Sequence, residues 1–248
     1  MCARKARQWR VMRPLCNRIA ALLIVVSLGS AASAEQVTFV LRLAGLKLGT
    51  LSYTDAGDAA SYSAGMRFQT GGLAGLLSSV TFDAASQGRR TPDGALVPVK
   101  YREESLRGDE REVTEIVWQG ETPEITVEIP SQPDRLDPRQ AVGSIDLMTG
   151  MHLILRAIPP EDACKLDVTT YDGKRLMRLR LGSPGRDPEG QVTCTGGFSR
   201  LKGVAPQGMI DTMFGGFDMT YGSLPDGRIR VDRMVLHTPV GRAILAVE

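Results

Sequence analysis

Apolar and polar residues alternate one by one in run after run of this chain. Ile125, Val127 and Ile129 interleave with Glu124, Thr126 and Glu128, and Tyr62, Ala64, Met66 and Phe68 interleave with Ser61, Ser63, Gly65 and Arg67. A two-residue period gives a strand one buried and one wetted face, and no helix can use it. Short turn signals separate the runs: Pro92-Asp93-Gly94, Arg107-Gly108-Asp109-Glu110, Tyr171-Asp172-Gly173-Lys174 and Pro225-Asp226-Gly227. Strands at this spacing read as an antiparallel meander. The expected fold is all-β with one helix: a strongly curved antiparallel sheet of about ten to twelve strands, as a half-open barrel or a sandwich, since curling is a common way to manage sheet edges.

The one good helix candidate runs from Leu147 to Arg156, with Asp146 as its N-cap and Pro159-Pro160 beyond its end. Leu147, Met151, Ile154 and Leu155 form its apolar stripe. Thr149, His152 and Arg156 share the opposite, polar side, which reads as a solvated or hydrogen-bonded face.

The first 34 residues follow a different pattern. Six basic residues and no acid precede and flank a short apolar core, Ile19 to Leu28, and Ala32-Ser33-Ala34 supplies small residues for cleavage. This is the pattern of a secretory signal peptide cut after Ala34. The core is about 10 residues, half of the roughly 20 that a membrane span needs. No cysteine follows the core, which argues against a lipid-anchored start. The segment also lacks an Arg-Arg pair, which points to the general secretory route and the periplasm.

Export changes the charge argument. Of 30 basic and 28 acidic residues, six basics leave with the leader, so the mature chain carries 24 against 28. It is mildly acidic and has lost the electrostatic footprint of a nucleic-acid binder. About 214 residues remain, enough for a single β-rich domain spanning residues 35–248. Cys164 and Cys194 are the only cysteines left. In an oxidising compartment two cysteines are most simply one disulfide, here closing a loop of about 30 residues worth roughly 3–4 kcal/mol. A metal pair or a catalytic cysteine would need partners that the sequence does not offer.

Four segments carry a resemblance. They are Gly45-Leu46-Lys47-Leu48-Gly49-Thr50-Leu51; Ser144-Ile145-Asp146-Leu147-Met148-Thr149; Cys164 followed by Tyr171-Asp172-Gly173-Lys174-Arg175 and then Cys194; and Thr238-Pro239-Val240-Gly241-Arg242-Ala243. Together they resemble the bacterial "domain of unknown function 3108" family over nearly the whole mature chain. The resemblance implies an exported, envelope-located β-rich domain and carries over no reaction and no catalytic residue. Leu147 departs from the family's pattern, which often has proline at the first helical position.

Familiar catalytic patterns are missing. The sequence has no phosphate-binding Gly-x-x-x-x-Gly-Lys loop, no Gly-x-Ser-x-Gly elbow and no His-Glu-x-x-His. His152 and His237 are the only histidines, too few for a histidine-based metal site. Glu103-Glu104, Asp109-Glu110, Asp134 and Asp137 supply carboxylates that glycoside hydrolysis could use, but they alternate with arginines near turns and read as solvated charge. Arg178 and Arg180 read as an exposed strand face. No cofactor is expected.

Two apolar clusters remain. Leu73, Leu76 and Leu77 fall at helical spacing among glycines, and Met209, Met213, Phe214 and Phe217 cluster in another glycine-rich stretch. Flexible methionines suit surfaces that accept varied apolar partners. If both clusters line one mouth of a curved sheet, they could hold an apolar ligand or a lipid tail; if both are buried, they are core. The leading expectation is therefore a non-enzymatic periplasmic binding protein for an apolar or envelope component. An envelope protein-interaction module is the alternative, and a carboxylate-based hydrolase comes third.

Overall fold

A computed structural model describes residues 34–72, 75, 79–205, 216–239 and 241–248. The strands are β1 (Glu35–Leu43), β2 (Leu46–Gly57), β3 (Ser61–Thr70), β4 (Val80–Arg90), β5 (Leu96–Arg107), β6 (Glu110–Gln119) and β7 (Thr122–Ile129), followed by β8 (Ile145–Asp146), β9 (Asp167–Tyr171), β10 (Arg175–Arg186), β11 (Val192–Gly203), β12 (Phe217–Ser223), β13 (Ile229–Thr238) and β14 (Gly241–Val247). All belong to one 14-stranded sheet in the order β7-β6-β5-β4-β3-β2-β1-β14-β13-β12-β11-β10-β9-β8. Every pairing is antiparallel except the short parallel bridge of β8 with β9. The expected all-β sheet is therefore present with two strands more than its upper count. β8 is two residues long and shows no periodicity, and β12 was hidden in the Met/Phe-rich stretch.

The sheet curls. Val37, Phe39 and Leu41 of β1, Tyr53 of β2, Tyr62 of β3, Tyr101 of β5, Ile116 of β6 and Met234 of β13 all point to one buried face. Helix α1 (Leu147–Leu155) lies against that face. Its Gly150 would place a Cβ 2.8 Å from Thr170 and 3.3 Å from Leu179, so any larger residue would push α1 off β9 and β10. On its other side α1 meets β3, β4 and β5. Seven of its nine residues are buried.

Local chemistry explains the details. Asp146 caps α1, its Oδ1 accepting from the Thr149 N–H at 2.7 Å. Pro98 sits where the β4–β5 register slips, and Pro123 lies in the edge strand β7, two places where a missing N–H costs little ladder. Cys164 and Cys194 form a disulfide, Cα to Cα 5.4 Å, tying the segment before β9 to β11. Among the described residues no helix is long and apolar enough to cross a membrane.

Antiparallel pairing gives the sheet two ends. The β2–β3, β4–β5 and β12–β13 turns lie at one, here the first end. The β1–β2, β5–β6 and β9–β10 turns lie at the other, the second end.

Candidate functional site

The polar side of α1 is not a solvent face. Thr149 and His152 are both 0% exposed, because the curled sheet presents matching polar groups to them. The Oδ2 of Asp146 accepts from the hydroxyls of Ser86 at 2.8 Å and Thr149 at 2.6 Å. The Tyr62 hydroxyl then donates to Thr149 Oγ1 at 2.6 Å. Tyr53 Oη lies 2.7 Å from His152 Nδ1, and the Tyr62 ring stacks on the imidazole with centroids 5.6 Å apart. Of the two expectations for His152, solvated or hydrogen-bonded, the structure shows the second: a polar stripe says which groups need partners, not whether water or protein provides them.

Burial sets the protonation of this network. Desolvation, helped by Arg156 and Arg90, lowers the His152 pKa to about 3, so the ring is neutral. Among the described residues Nδ1 is the one acceptor for the Tyr53 hydroxyl, which assigns Tyr53 as the donor and places the ring proton on Nε2. That Nε2 is solvent-inaccessible and has no hydrogen-bond partner among the described residues. Desolvation also raises Asp146 to about 6, against the pull of its Thr149 and Ser86 bonds, and lifts Tyr62 to about 12.

Four segments bring charge to the first end around His152. Asp55 lies at the end of β2, its Oδ1 3.9 Å from His152 Nδ1. Arg156 caps the C-terminus of α1, one turn after His152, its backbone N–H bonded to the His152 carbonyl. Arg90 ends β4 two residues after Gly88, whose position carries the Tyr62 ring: a Cβ there would fall 2.6 Å from it. Arg228 precedes Ile229, which bridges Ile158 just beyond α1. Asp55 is half-buried; desolvation raises its pKa while Arg90, Arg156 and Arg228 pull it down. Desolvation and the neighbouring Arg90 both lower the Arg156 pKa.

The second end carries a different constellation. Tyr101 donates a hydrogen bond to Glu103. Burial and the nearby Asp172 raise Glu103 to about 7. Reading Glu103 as solvated charge is therefore corrected, since the curl brings the β9–β10 hairpin over it. Asp172 Oδ1 accepts from the N–H groups of Lys174 and Arg175 at 2.9 and 2.8 Å, its Oδ2 lies 2.9 Å from Arg175 Nε, and Lys174 Nζ pairs with Glu112 at 2.6 Å. These bonds lock the hairpin turn. Two carboxylates come close here, but both are held by the fold.

Of the apolar residues singled out from sequence, Leu73, Leu76, Leu77, Met209, Met213 and Phe214 lie outside the described residues. Phe217 opens β12 and is buried at 2% exposure, its ring against Gly196. Arg178 is exposed as expected, bonded through Nε to Asp167 at 2.6 Å, and His237 pairs with Asp218 at 3.0 Å on the surface. Among the described residues no group of three or more His, Cys, Asp and Glu could hold a metal. Sequence reasoning missed Tyr53, Tyr62, Ser86, Asp55 and Arg90. The available signal was the set of five tyrosines, all now at most 2% exposed, whose hydroxyls require buried partners.

No protein-family profile matches the chain, and no curated protein matches it. Among solved structures it is similar to a beta-barrel-like protein of Domain of Unknown Function DUF1849 from Brucella abortus, at 12% identity and a TM-score of 0.47, over 88% of this chain and 96% of that one.

Proposed function

We propose that the chain is an exported, non-enzymatic binding protein of the cell envelope that holds an apolar or envelope component at the second end of its sheet. The observation that carries this reading is strand register. β3 ends at Thr70 and β4 begins at Val80, while β11 ends at Gly203 and β12 begins at Phe217. Thr70 pairs with Gly49, Leu43 with Ala243, and Phe217 with Leu236, so all four strand termini fall at the second end. The two connections between them carry Leu73, Leu76 and Leu77 in one case and Met209, Met213 and Phe214 in the other. The connections that carry the two apolar clusters thus leave and rejoin the sheet at the same end, although the clusters are more than 130 residues apart in sequence.

The middle of the sheet supports the same division of labour. α1 fills the concave face, and its hydroxyls and carboxylate are bonded to one another, so a ligand would bind at an end. Export is supported by the basic, apolar and small-residue pattern of residues 1–34 and by the Cys164–Cys194 bridge, which suits an oxidising compartment. The resemblance to the domain of unknown function 3108 family belongs to the same reading.

Native mass spectrometry of protein purified from periplasm, with lipid extraction alongside, tests it. A copurifying apolar mass is expected, and Met213→Asp or Phe214→Asp should abolish uptake of a fluorescent lipid without unfolding the domain. A bare chain together with unchanged uptake in both variants overturns the reading.

A further inference from the structure

The first end holds donors in excess of acceptors. Neither Arg90 nor Arg156 makes a side-chain hydrogen bond or ion pair with any described residue, and Arg156 Nε is solvent-inaccessible without a partner. One helical turn away, His152 Nε2 is equally buried and equally unpartnered. The carboxylate among them is Asp55, whose nearest contact is the long 3.9 Å approach to His152. Arg228 is committed to Asp226 at 2.7 Å on the rim, and Asp162 lies out on an exposed 3-10 turn. A half-buried guanidinium without an acceptor forfeits hydration and gains nothing in exchange. Two of them side by side repel one another as well. Folds keep such an arrangement where a multi-oxygen anion completes it.

We infer that the first end is an anion site for a phosphoryl group, with Arg90 and Arg156 as its clamps and His152 as a neutral N–H donor beside them. The chemistry of the donors selects the class. Guanidinium forks match pairs of oxygens on a phosphate or carboxylate. Here, however, the donors arrive from three directions: the end of β4, the C-cap of α1 and the ring stacked under Tyr62. A tetrahedral phosphoryl group offers oxygens in three directions, and a flat carboxylate does not. Asp55, half-buried near these arginines, offsets part of their charge. The phosphoryl group can belong to free phosphate or to a phospholipid headgroup, and both present the same oxygens. The inference goes beyond the proposed function: an apolar ligand at the second end and an anion at the first are independent, and each can fail alone.

Calorimetric titration of the purified native protein with inorganic phosphate, and cosedimentation with phosphatidylglycerol or phosphatidylcholine vesicles, provide the test. Saturable binding of phosphate alone assigns the free anion, and binding of phosphatidylglycerol vesicles in preference to phosphatidylcholine assigns the headgroup; either supports the site. The double variant Arg90→Gln/Arg156→Gln should weaken that binding at least tenfold, and Arg178→Gln, on the outer face of β10, should leave it unchanged. Arg156→Lys keeps the charge without the fork and should weaken it severalfold, which serves if the double variant does not fold. Absence of binding to both probes, or equal binding by wild type and the Arg156 variants, overturns the inference.

Discussion

The two ends of this sheet handle charge in opposite ways. At the second end the groups gathered under the β9–β10 hairpin are paired: Asp172 with Arg175, Lys174 with Glu112, Glu103 with Tyr101. At the first end β2, β4, α1 and the β12–β13 turn deliver Asp55, Arg90, Arg156 and Arg228 from four distant segments, and two of the arginines have no side-chain acceptor among the described residues. A compensated cluster is the signature of structural locking, whereas an uncompensated one leaves binding energy for a ligand. The presence of charge at an end therefore says little; what counts is whether the fold has already spent it.

The largest test of this contrast lies between the ends, at Asp146. Asp146→Ala removes the α1 cap and strands the Ser86 and Thr149 hydroxyls, at an expected cost of about 3 kcal/mol in urea unfolding. Asp146→Asn keeps the Thr149 N–H bond and removes the charge. The folded pKa of Asp146 is raised to about 6, so wild type loses stability as pH rises from about 4 through 6. The Asn variant should gain on wild type across that window, and a pH-independent difference would show that Asp146 is not desolvated.

Next is the lock at the second end. Gly173 has φ +92°, and a Cβ there would meet Thr114 Cγ2 at 2.8 Å. Gly173→Ala should cost about 2 kcal/mol through backbone strain and displacement of the hairpin from β6. A cost within about 0.5 kcal/mol would show that the hairpin does not close on β6 as described.

His152 gives a smaller, pH-dependent effect. Its folded pKa is lowered to about 3, so the stability contributed by the neutral ring is full above the ordinary histidine value near 6.5 and falls as pH drops from there toward 3. His152→Gln should lessen the slope of thermal midpoint against pH in that range; an unchanged slope would place the ring in solvent. Smallest of all, Arg178→Gln breaks an exposed pair with Asp167 and should change stability by no more than about 0.5 kcal/mol.

Much of the fold was legible locally. Twelve of the strands, the Tyr171–Lys174 turn and the Asp146 cap all follow from patterns within a few residues of each other, because alternation, turn chemistry and capping are short-range effects, and the disulfide follows from the cysteine count and the leader. β8 is too short to have a period; β12 does alternate, Phe217, Met219 and Tyr221 buried and Asp218 and Thr220 outward, but it continues a glycine- and methionine-rich stretch whose apolar residues read as one cluster. The candidate site was far less legible. Thr149, His152 and Arg156 were visible as a polar stripe on α1, but a stripe has the same period whether it faces water or a curled sheet. Tyr53, Tyr62, Ser86 and Asp55 each look like ordinary strand residues until register brings them to α1.

By itself, then, the sequence determined an antiparallel β protein with one capped helix, one disulfide-forming pair and two apolar segments, since these are written in neighbouring residues or, for the disulfide, in the cysteine count. The tertiary structure decided that all fourteen strands share one sheet, that β1 lies beside β14, that the helix is buried on its polar side, and that two arginines 66 residues apart come near enough to repel, with no side-chain acceptor among the described residues. The physical reason is that burial and charge compensation depend on which distant segments the curl brings together, and local periodicity carries no record of that.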